Sequence, residues 1–237
     1  DYGAELQILL GRYQYLQNRD LTDINERIAS MEGLLKTLKN KNYPEYQALV
    51  ALELGNNYFR KKQNYIQAFE NYVNAYNLVK DADAKDFPKK KKVLVNLGNS
   101  YYNFGEIQKA KELLLEADKL PRSEDTLTNY NNKNTLGLVY RHNKMYDSAI
   151  YYFNETWKLA KKDGKKVWCS IAMGNIGTCY YLQGKYNMAL PLLNNDIEGC
   201  IANGKQSYDN ALTSLMTRAD IHLKQNKPAE MANDIRL

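Results

Sequence analysis

Apolar residues along the chain recur at helical spacing. Ile24, Ile28, Met31, Leu34, Leu35 and Leu38 follow one another at steps of four, three, three, one and three, the stripe of a helix with one buried face. An Asp23-x-x-Glu26 spacing opens that helix in the manner of a capping box, and a helix over about residues 2–17 precedes it, so the two form a hairpin. The fullest version of the pattern is Asn175–Leu190, NIGTCYYLQGKYNMAL. Leu9–Asn18, Glu53–Phe69, Asn96–Leu113, Thr135–Phe153 and Thr217–Ala232 align with it, giving six copies.

The anchor pairs Leu10-Gly11, Leu54-Gly55, Leu97-Gly98, Leu136-Gly137, Ile176-Gly177 and Arg218-Ala219 are separated by 44, 43, 39, 40 and 42 residues. A near-constant period of this size means a stacked array of supersecondary units. Pro44, Pro88 and Pro121 fall between units, where a residue without an N–H ends one helix and admits the next. Pro228 occupies the first turn of the last helix. Pro191 lies about one turn inside a helix, where a small bend is expected.

These residues resemble the tetratricopeptide repeat, whose pattern is a large residue, Leu-Gly, Tyr three on, then Gly or Asn, Tyr, Ala, Phe and Ala. Leu97, Gly98, Tyr101, Gly105, Ala110, Leu114 and Ala117 match in one copy. Leu136, Gly137, Tyr140, Tyr146, Ala149 and Phe153 match in the next, and Ile176, Gly177, Tyr180, Gly184, Tyr186 and Ala189 in a third. The outer copies depart from the pattern: Gln14 stands where Tyr is expected, and Arg218, His222 and Met231 occupy three signature positions of the last. The Leu54 copy carries one extra residue before Tyr65 and Ala68. A period near 40 exceeds the family's usual period of about 34 and implies longer helices, similar to those of kinesin light chains and bacterial peptide-pheromone receptors. The resemblance implies an all-α, right-handed superhelix of six helical hairpins, the last incomplete, over residues 1–42, 43–86, 87–122, 123–164, 165–204 and 205–237 of a single array.

A glycine inside a helix costs about 1 kcal/mol relative to alanine, so Gly11, Gly55, Gly98, Gly137 and Gly177 need a compensating contact. The motif supplies one. The first helix of each hairpin crosses the second too closely for a Cβ, with Ala68, Ala110, Ala149 and Ala189 as the small residues opposite. Tyr58, Tyr101, Tyr140 and Tyr180, one turn past a glycine, read as hairpin core with hydroxyls at its edge. Tyr151, Tyr152 and Trp157, on a second helix, read as packed more than exposed.

At 237 residues, 44% hydrophobic and 25% charged, the chain has material for one large array. No run approaches the roughly 18 apolar residues of a membrane span, so the segment reads as soluble, cytoplasmic or periplasmic. It opens at Asp1 and closes about ten residues into a helix, which reads as a segment of a longer protein. Cys169, Cys179 and Cys200 show no C-x-x-C spacing and read as small buried hydrophobes, with neither a zinc site nor a disulfide framework.

Catalysis has little support. The two histidines, His142 and His222, lie far apart in sequence, and no metalloprotease, nucleophile-elbow, phosphate-loop or dinucleotide signature is present. Gly174-Asn175-Ile176-Gly177 lies mid-helix and reads as packing. No catalytic residue, metal ligand or cofactor is expected. The Lys89–Lys92 run, in a chain of net charge +6, reads first as a solvated loop and second as a docking patch for an acidic partner. Nucleic-acid binding is the weakest reading, because the lysines lack interleaved aromatics and follow Asp81, Asp83 and Asp86.

The resemblance implies that the first helices line a concave groove. Its register places Leu52, Asn56 and Phe59, then Val95, Asn96, Asn99 and Tyr102, then Asn134, Leu138 and Arg141, then Asn175, Thr178 and Tyr181 on that surface. The peptide-binding candidates are Asn56, Phe59, Asn96, Asn99, Tyr102, Arg141, Asn175 and Tyr181. Carboxamides donate to and accept from a peptide backbone while aromatic faces cover side chains; the alternative is that the asparagines bridge neighbouring helices. The carboxylate clamp of chaperone-binding relatives is not reproduced: Asn56 and Asn96 fit, but Leu52, Asn131 and Thr135 stand where cations belong. The chain therefore reads as a non-catalytic scaffold for a protein or peptide. The second reading is the sensory segment of a bacterial membrane-anchored histidine kinase or transcription regulator, with a covalently attached output domain outside it.

Overall fold

The computed structural model describes residues 9, 11–13, 24–41, 43–202, 204 and 208–236. Most of the helix expected over residues 2–17 lies outside the described residues, as does Asp23 of the expected capping box. Every regular element among the described residues is a helix. The chain divides into two compact units, Asp1–Ser123 and Glu124–Leu237.

The first unit holds α1 (Ile24–Lys41), α2 (Pro44–Asn57) continued by a π-helical turn (Tyr58–Lys62), α3 (Tyr65–Val79), α4 (Lys90–Asn103) and α5 (Ile107–Lys119). The stripe on α1 does what its spacing predicts. Ile28, Met31, Leu34, Leu35 and Leu38 are buried against Val50 and Leu54 of α2 and against Leu9 and Tyr13, each contributing roughly 1.5–3 kcal/mol. The second unit holds α6 (Thr126–His142), α7 (Tyr146–Lys162), α8 (Lys166–Leu182), α9 (Tyr186–Ala202), α10 (Tyr208–Lys224) and α11 (Pro228–Arg236). Pro44 and Pro228 are the first residues of their helices, where a missing N–H costs nothing. Pro191 lies within α9.

Each of the five hairpins whose turn lies among the described residues turns on one left-handed residue: Gln63, Gly105, Lys144, Gly184 and Asn226 have φ between 50° and 80°. The turns share a hydrogen-bond pair. Gly105 N–H donates to Tyr102 O and Glu106 N–H to Tyr101 O, and the same pair recurs at Lys144/Met145, Gly184/Lys185 and Asn226/Lys227, satisfying the last carbonyls of the first helix. The α2/α3 hairpin is built differently. Its extra residue is absorbed by the π turn, where Asn64 N–H reaches back to Tyr58 O at 3.0 Å, the usual way a helix accommodates one inserted residue.

The glycine positions are close contacts, but the groups filling them correct the expectation. A Cβ at Gly55 would lie 2.6 Å from Cδ1 of Tyr72, one at Gly98 2.8 Å from Cγ of Leu114, and one at Gly177 3.1 Å from Cγ of Leu193. The residue over each glycine is thus the large one four places beyond the expected alanine, that is, one turn along the same face. The alanines contribute only backbone, Ala110 O at 3.5 Å and Ala189 O at 3.2 Å. At Gly11 no described group lies within 4 Å.

The Lys89–Lys92 run is also corrected. Lys90 and Lys91 are part of the fold, not of a solvated loop. The Lys90 ammonium donates to Lys80 O at 2.7 Å and Ala82 O at 2.8 Å, and lies 3.9 Å from Glu116. Lys91 is buried and donates to Leu120 O at 3.3 Å. Lys80 O and Leu120 O end α3 and α5, where the unsatisfied acceptors and the helix dipole favour a cation, and Ala82 O lies in the turn after α3.

Tyr58, Tyr101, Tyr140 and Tyr180 are half-buried at the core's edge, and Tyr58 OH donates to Glu32 at 2.7 Å. Burial, and then that hydrogen bond, push the Tyr58 phenol up to about 12. The fully buried tyrosine is Tyr130, whose hydroxyl donates to Asp163. Tyr151 is exposed; Tyr152 is half-buried and stacks on Tyr140 at 5.3 Å.

Candidate functional site

The first helices carry the asparagines, and two of them bridge successive first helices. In the first unit, Asn96 of α4 donates through Nδ2 to Asn56 Oδ1 of α2 at 2.9 Å. The same oxygen accepts from Tyr72 OH at 3.1 Å, and burial raises the Tyr72 phenol. Leu52 and Val95, in the register expected to line a groove, are fully buried. Exposed register begins further along the helix. Asn99 is half-buried with its Oδ1 enclosed and unbonded to protein, Tyr102 is half-buried, and Phe59 meets Tyr65 edge-on at the turn.

In the second unit, Asn175 of α8 donates through Nδ2 to Asn134 Oδ1 of α6 at 3.0 Å, and its own Oδ1 accepts from Arg141 Nη1 at 2.9 Å. Arg141 also lies over the Phe153 ring at 5.9 Å, a contact that holds a cation without neutralising it. Thr178 is buried and donates to Gly174 O within its own helix. Tyr181 donates to Asp220 Oδ2 of α10 at 2.5 Å and accepts from Lys224 at 3.0 Å. Hydrogen bonds from Lys224 and then Tyr181 hold the Asp220 carboxyl below its ordinary range. Asn96 and Asn175, both two residues before a glycine, thus play one role: each ties its helix to the first helix before it.

Two polar clusters stand outside the sequence expectations. Asp196 of α9 is buried between Ser214 of α10, whose hydroxyl donates to it at 2.6 Å, and Cys200, whose thiol lies 3.4 Å away. Burial pushes its carboxyl up to about 6, against the opposing pull of those two donors. Gly174 makes room for the pair, since a Cβ there would lie 2.6 Å from Ser214 Oγ. The second cluster is in the last hairpin. Arg218 donates to Asp234 at 2.6 and 2.9 Å and to Asn194 at 2.7 Å, and His222 Nδ1 lies 3.0 Å from Asp234. By register Arg218, His222 and Asp234 replace Ile176, Tyr180 and Leu192 of the preceding hairpin, which pack together. No motif identifies either cluster, because each joins residues on different helices.

Burial raises the thiols, Cys179 to about 11 and Cys200 to about 12, which leaves them poor nucleophiles near neutral pH. Among the described residues no three His, Cys, Asp or Glu side chains group as metal ligands, and no helix is long and apolar enough to cross a membrane.

Residues 125–194 match a family model described as tetratricopeptide repeat. No curated protein matches the sequence. Among solved structures, the chain is similar to BtubC (BKLC) from P. vanneervenii, with a TM-score of 0.66 at 14% identity, covering 91% of this chain and 89% of that one. PilF from Pseudomonas aeruginosa gives 0.60 at 20% identity over 98% and 87% of the two chains. A Podosopora anserina putative kinesin light chain with nearly identical TPR-like repeats gives 0.60 at 16% identity over 86% and 98%. At these identities the likeness is one of fold.

Proposed function

We propose that this chain, whose residues 125–194 match the tetratricopeptide-repeat family model, is a non-catalytic scaffold that binds a protein or peptide through the side chains of its first helices. The observation that carries the reading is the Asn134–Asn175–Arg141 relay. It fixes a half-buried guanidinium in a row of carboxamides before any ligand arrives. Such a fork suits a carboxylate or a peptide carbonyl, and fixing it in advance lowers the entropy lost on binding.

In the first unit the corresponding surface groups are Asn99 and Tyr102, beside the Asn56–Asn96 pair. The Tyr102 ring is an aromatic face suited to covering a peptide side chain. Phosphate recognition has less behind it, because Lys90 and Lys91 are committed to carbonyls inside the fold and the remaining basic groups are dispersed.

The test is affinity capture from the source organism by the wild type, by Asn99→Ala/Tyr102→Ala and by Arg141→Gln. Asn96 and Asn175 are left intact because they hold helices together. A partner retained by the wild type and lost from either variant, at unchanged melting temperature, supports the reading; a partner retained equally by both variants removes the first-helix surface from consideration.

A further inference from the structure

The turn end of the α2/α3 and α4/α5 hairpins carries two groups of aromatic rings. Phe59 meets Tyr65 edge-on at 5.3 Å. Tyr65 and Phe69 lie one turn apart on α3, and Phe69 meets Phe104 at 5.3 Å and Tyr101 at 5.2 Å. Ile66, 65% exposed, flanks Phe69, while Tyr65 is 51% and Phe104 50% exposed. A patch of neighbouring large apolar side chains open to water on a folded domain marks an interaction site more often than chance exposure does.

The repeat itself does not require these residues. Ile66 sits three places after the left-handed turn residue, where three other hairpins carry Gln108, Asp147 and Asn187 and the last carries the small Ala229. Phe104 immediately precedes the left-handed turn residue, where they carry Lys62, Asn143, Gln183 and Gln225. No other described hairpin carries a large apolar residue in either register. The patch coincides with the π turn, where the hairpin geometry departs from that of the other described hairpins.

The charge beside the patch is positive. Arg60 and Lys62 are exposed on the same π turn as Phe59, and Lys62 is held by the neutral Asn25 carboxamide. Lys109 lies over the Tyr101 ring at 5.5 Å and is paired with Glu106 at 3.2 Å. Glu70, the acid nearest in sequence on α3, lines a separate cleft of about 360 Å³ with Glu32 and Lys36 of α1. Glu32 faces the start of the turn through Tyr58 OH, so Arg60 and Lys62 together leave the turn net positive.

We propose that this edge docks an acidic amphipathic helix of a partner protein, with apolar anchors at i, i+4 and i+7 seated along the Phe59–Tyr65–Phe104 surface and carboxylates facing Arg60 and Lys62. A lipid surface fits less well, because Glu106, Gln63 and Asn64 stand among the rings; polar groups of this kind are disfavoured in hydrocarbon but are normal in the rim of a protein interface. The site shares Phe59 with the first-helix register but uses none of Asn99, Tyr102 and Arg141, which carry the proposed function.

The probe is a display library of random 16-residue peptides selected on the wild-type chain, with binding of enriched peptides measured by fluorescence anisotropy. Two comparison variants are used: Ile66→Gln/Phe104→Gln, which installs the residue type of the sister hairpins, and Arg60→Gln/Lys62→Gln, which leaves the rings in place. The expected result is enrichment of acidic sequences with apolar residues at i, i+4 and i+7, whose affinity falls at least about tenfold in the first variant and falls measurably in the second. Melting temperatures of both stay near that of the wild type. No enrichment, enrichment of neutral or basic peptides, or equal binding to both variants would overturn the proposal. So would anionic phosphatidylserine vesicles that retain the wild type and release the first variant, which would make the edge a membrane contact, or a wild-type dimer in sedimentation that this variant abolishes. Asn99, Tyr102 and Arg141 are unchanged throughout, so failure here leaves the first-helix reading to its own test.

Discussion

The ring of Phe153 fills the space in which a side chain at Gly137 would begin, its Cδ1 lying 2.6 Å from the position of a Cβ there. Phe153 is fully buried, so its ring has no route of escape. Replacing Gly137 by alanine gains about 1 kcal/mol of helix propensity and loses about 1–3 kcal/mol or more to overpacking. Gly137→Ala is expected to lower stability on balance, and more than Gly177→Ala, where the flexible Leu193 is 3.1 Å away. Urea unfolding of the two variants checks the order; equal stabilisation by both would show that the crossing relaxes freely.

Lys90 holds two carbonyls at the end of α3. Lys90→Met keeps the aliphatic stem and removes the ammonium, and is expected to cost about 1–3 kcal/mol, the range for hydrogen bonds to charged groups. Lys89, exposed at the start of the same run, provides the control, with Lys89→Met expected within about 0.5 kcal/mol of the wild type. Thermal melts that rank the two alike would restore the solvated-loop reading.

Asp196 makes stability depend on pH in a defined sense. Its carboxyl is raised from 3.8 to about 6 in the folded chain, so between those values the native state holds a proton that the unfolded state has released. The contribution is present in full below about pH 3.8 and is lost as pH rises through about 6, a change of roughly 2–3 kcal/mol. Asp196→Asn removes the ionisable group while keeping an acceptor for Ser214. The variant's advantage over wild type is expected to grow from pH 4 to pH 7 in urea titrations; an advantage independent of pH would place the Asp196 carboxyl in its ordinary range.

Lys144 occupies the left-handed position of its turn with φ 58°, where Gly105 and Gly184 stand in two other hairpins. A side chain there costs roughly 1 kcal/mol. Lys144→Gly is expected to raise stability by up to that amount, measured by the urea midpoint; a fall would mean that the Lys144 side chain makes a stabilising contact.

The repeat was legible in the sequence because its most restrictive positions cannot be filled otherwise. Gly55, Gly98, Gly137 and Gly177 mark helix crossings, and the extra residue before Tyr65 marks the π turn. The identity of the group over each glycine was not legible, since it depends on how a second helix rotates to bring Tyr72 or Phe153 across. Lys90 and Lys91 read as solvated because a charge run gives no sign of carbonyls contributed by helices that end some ten and thirty residues away. The candidate row was partly legible. Asn96 and Asn175 share one register, but that each bonds a residue about 40 positions earlier follows only from stacking, as does the replacement of an apolar trio by Arg218, His222 and Asp234.

The central claim is that partners meet the first helices of the hairpins. Site-specific photocrosslinking in source cells tests it most directly, with a benzophenone side chain placed at Tyr102, at Tyr181 or at the exposed Tyr151 of the second helix α7. The account predicts a discrete adduct with one partner from position 102 or 181 and none from 151. An adduct from 151 alone would contradict it and move recognition to the second helices.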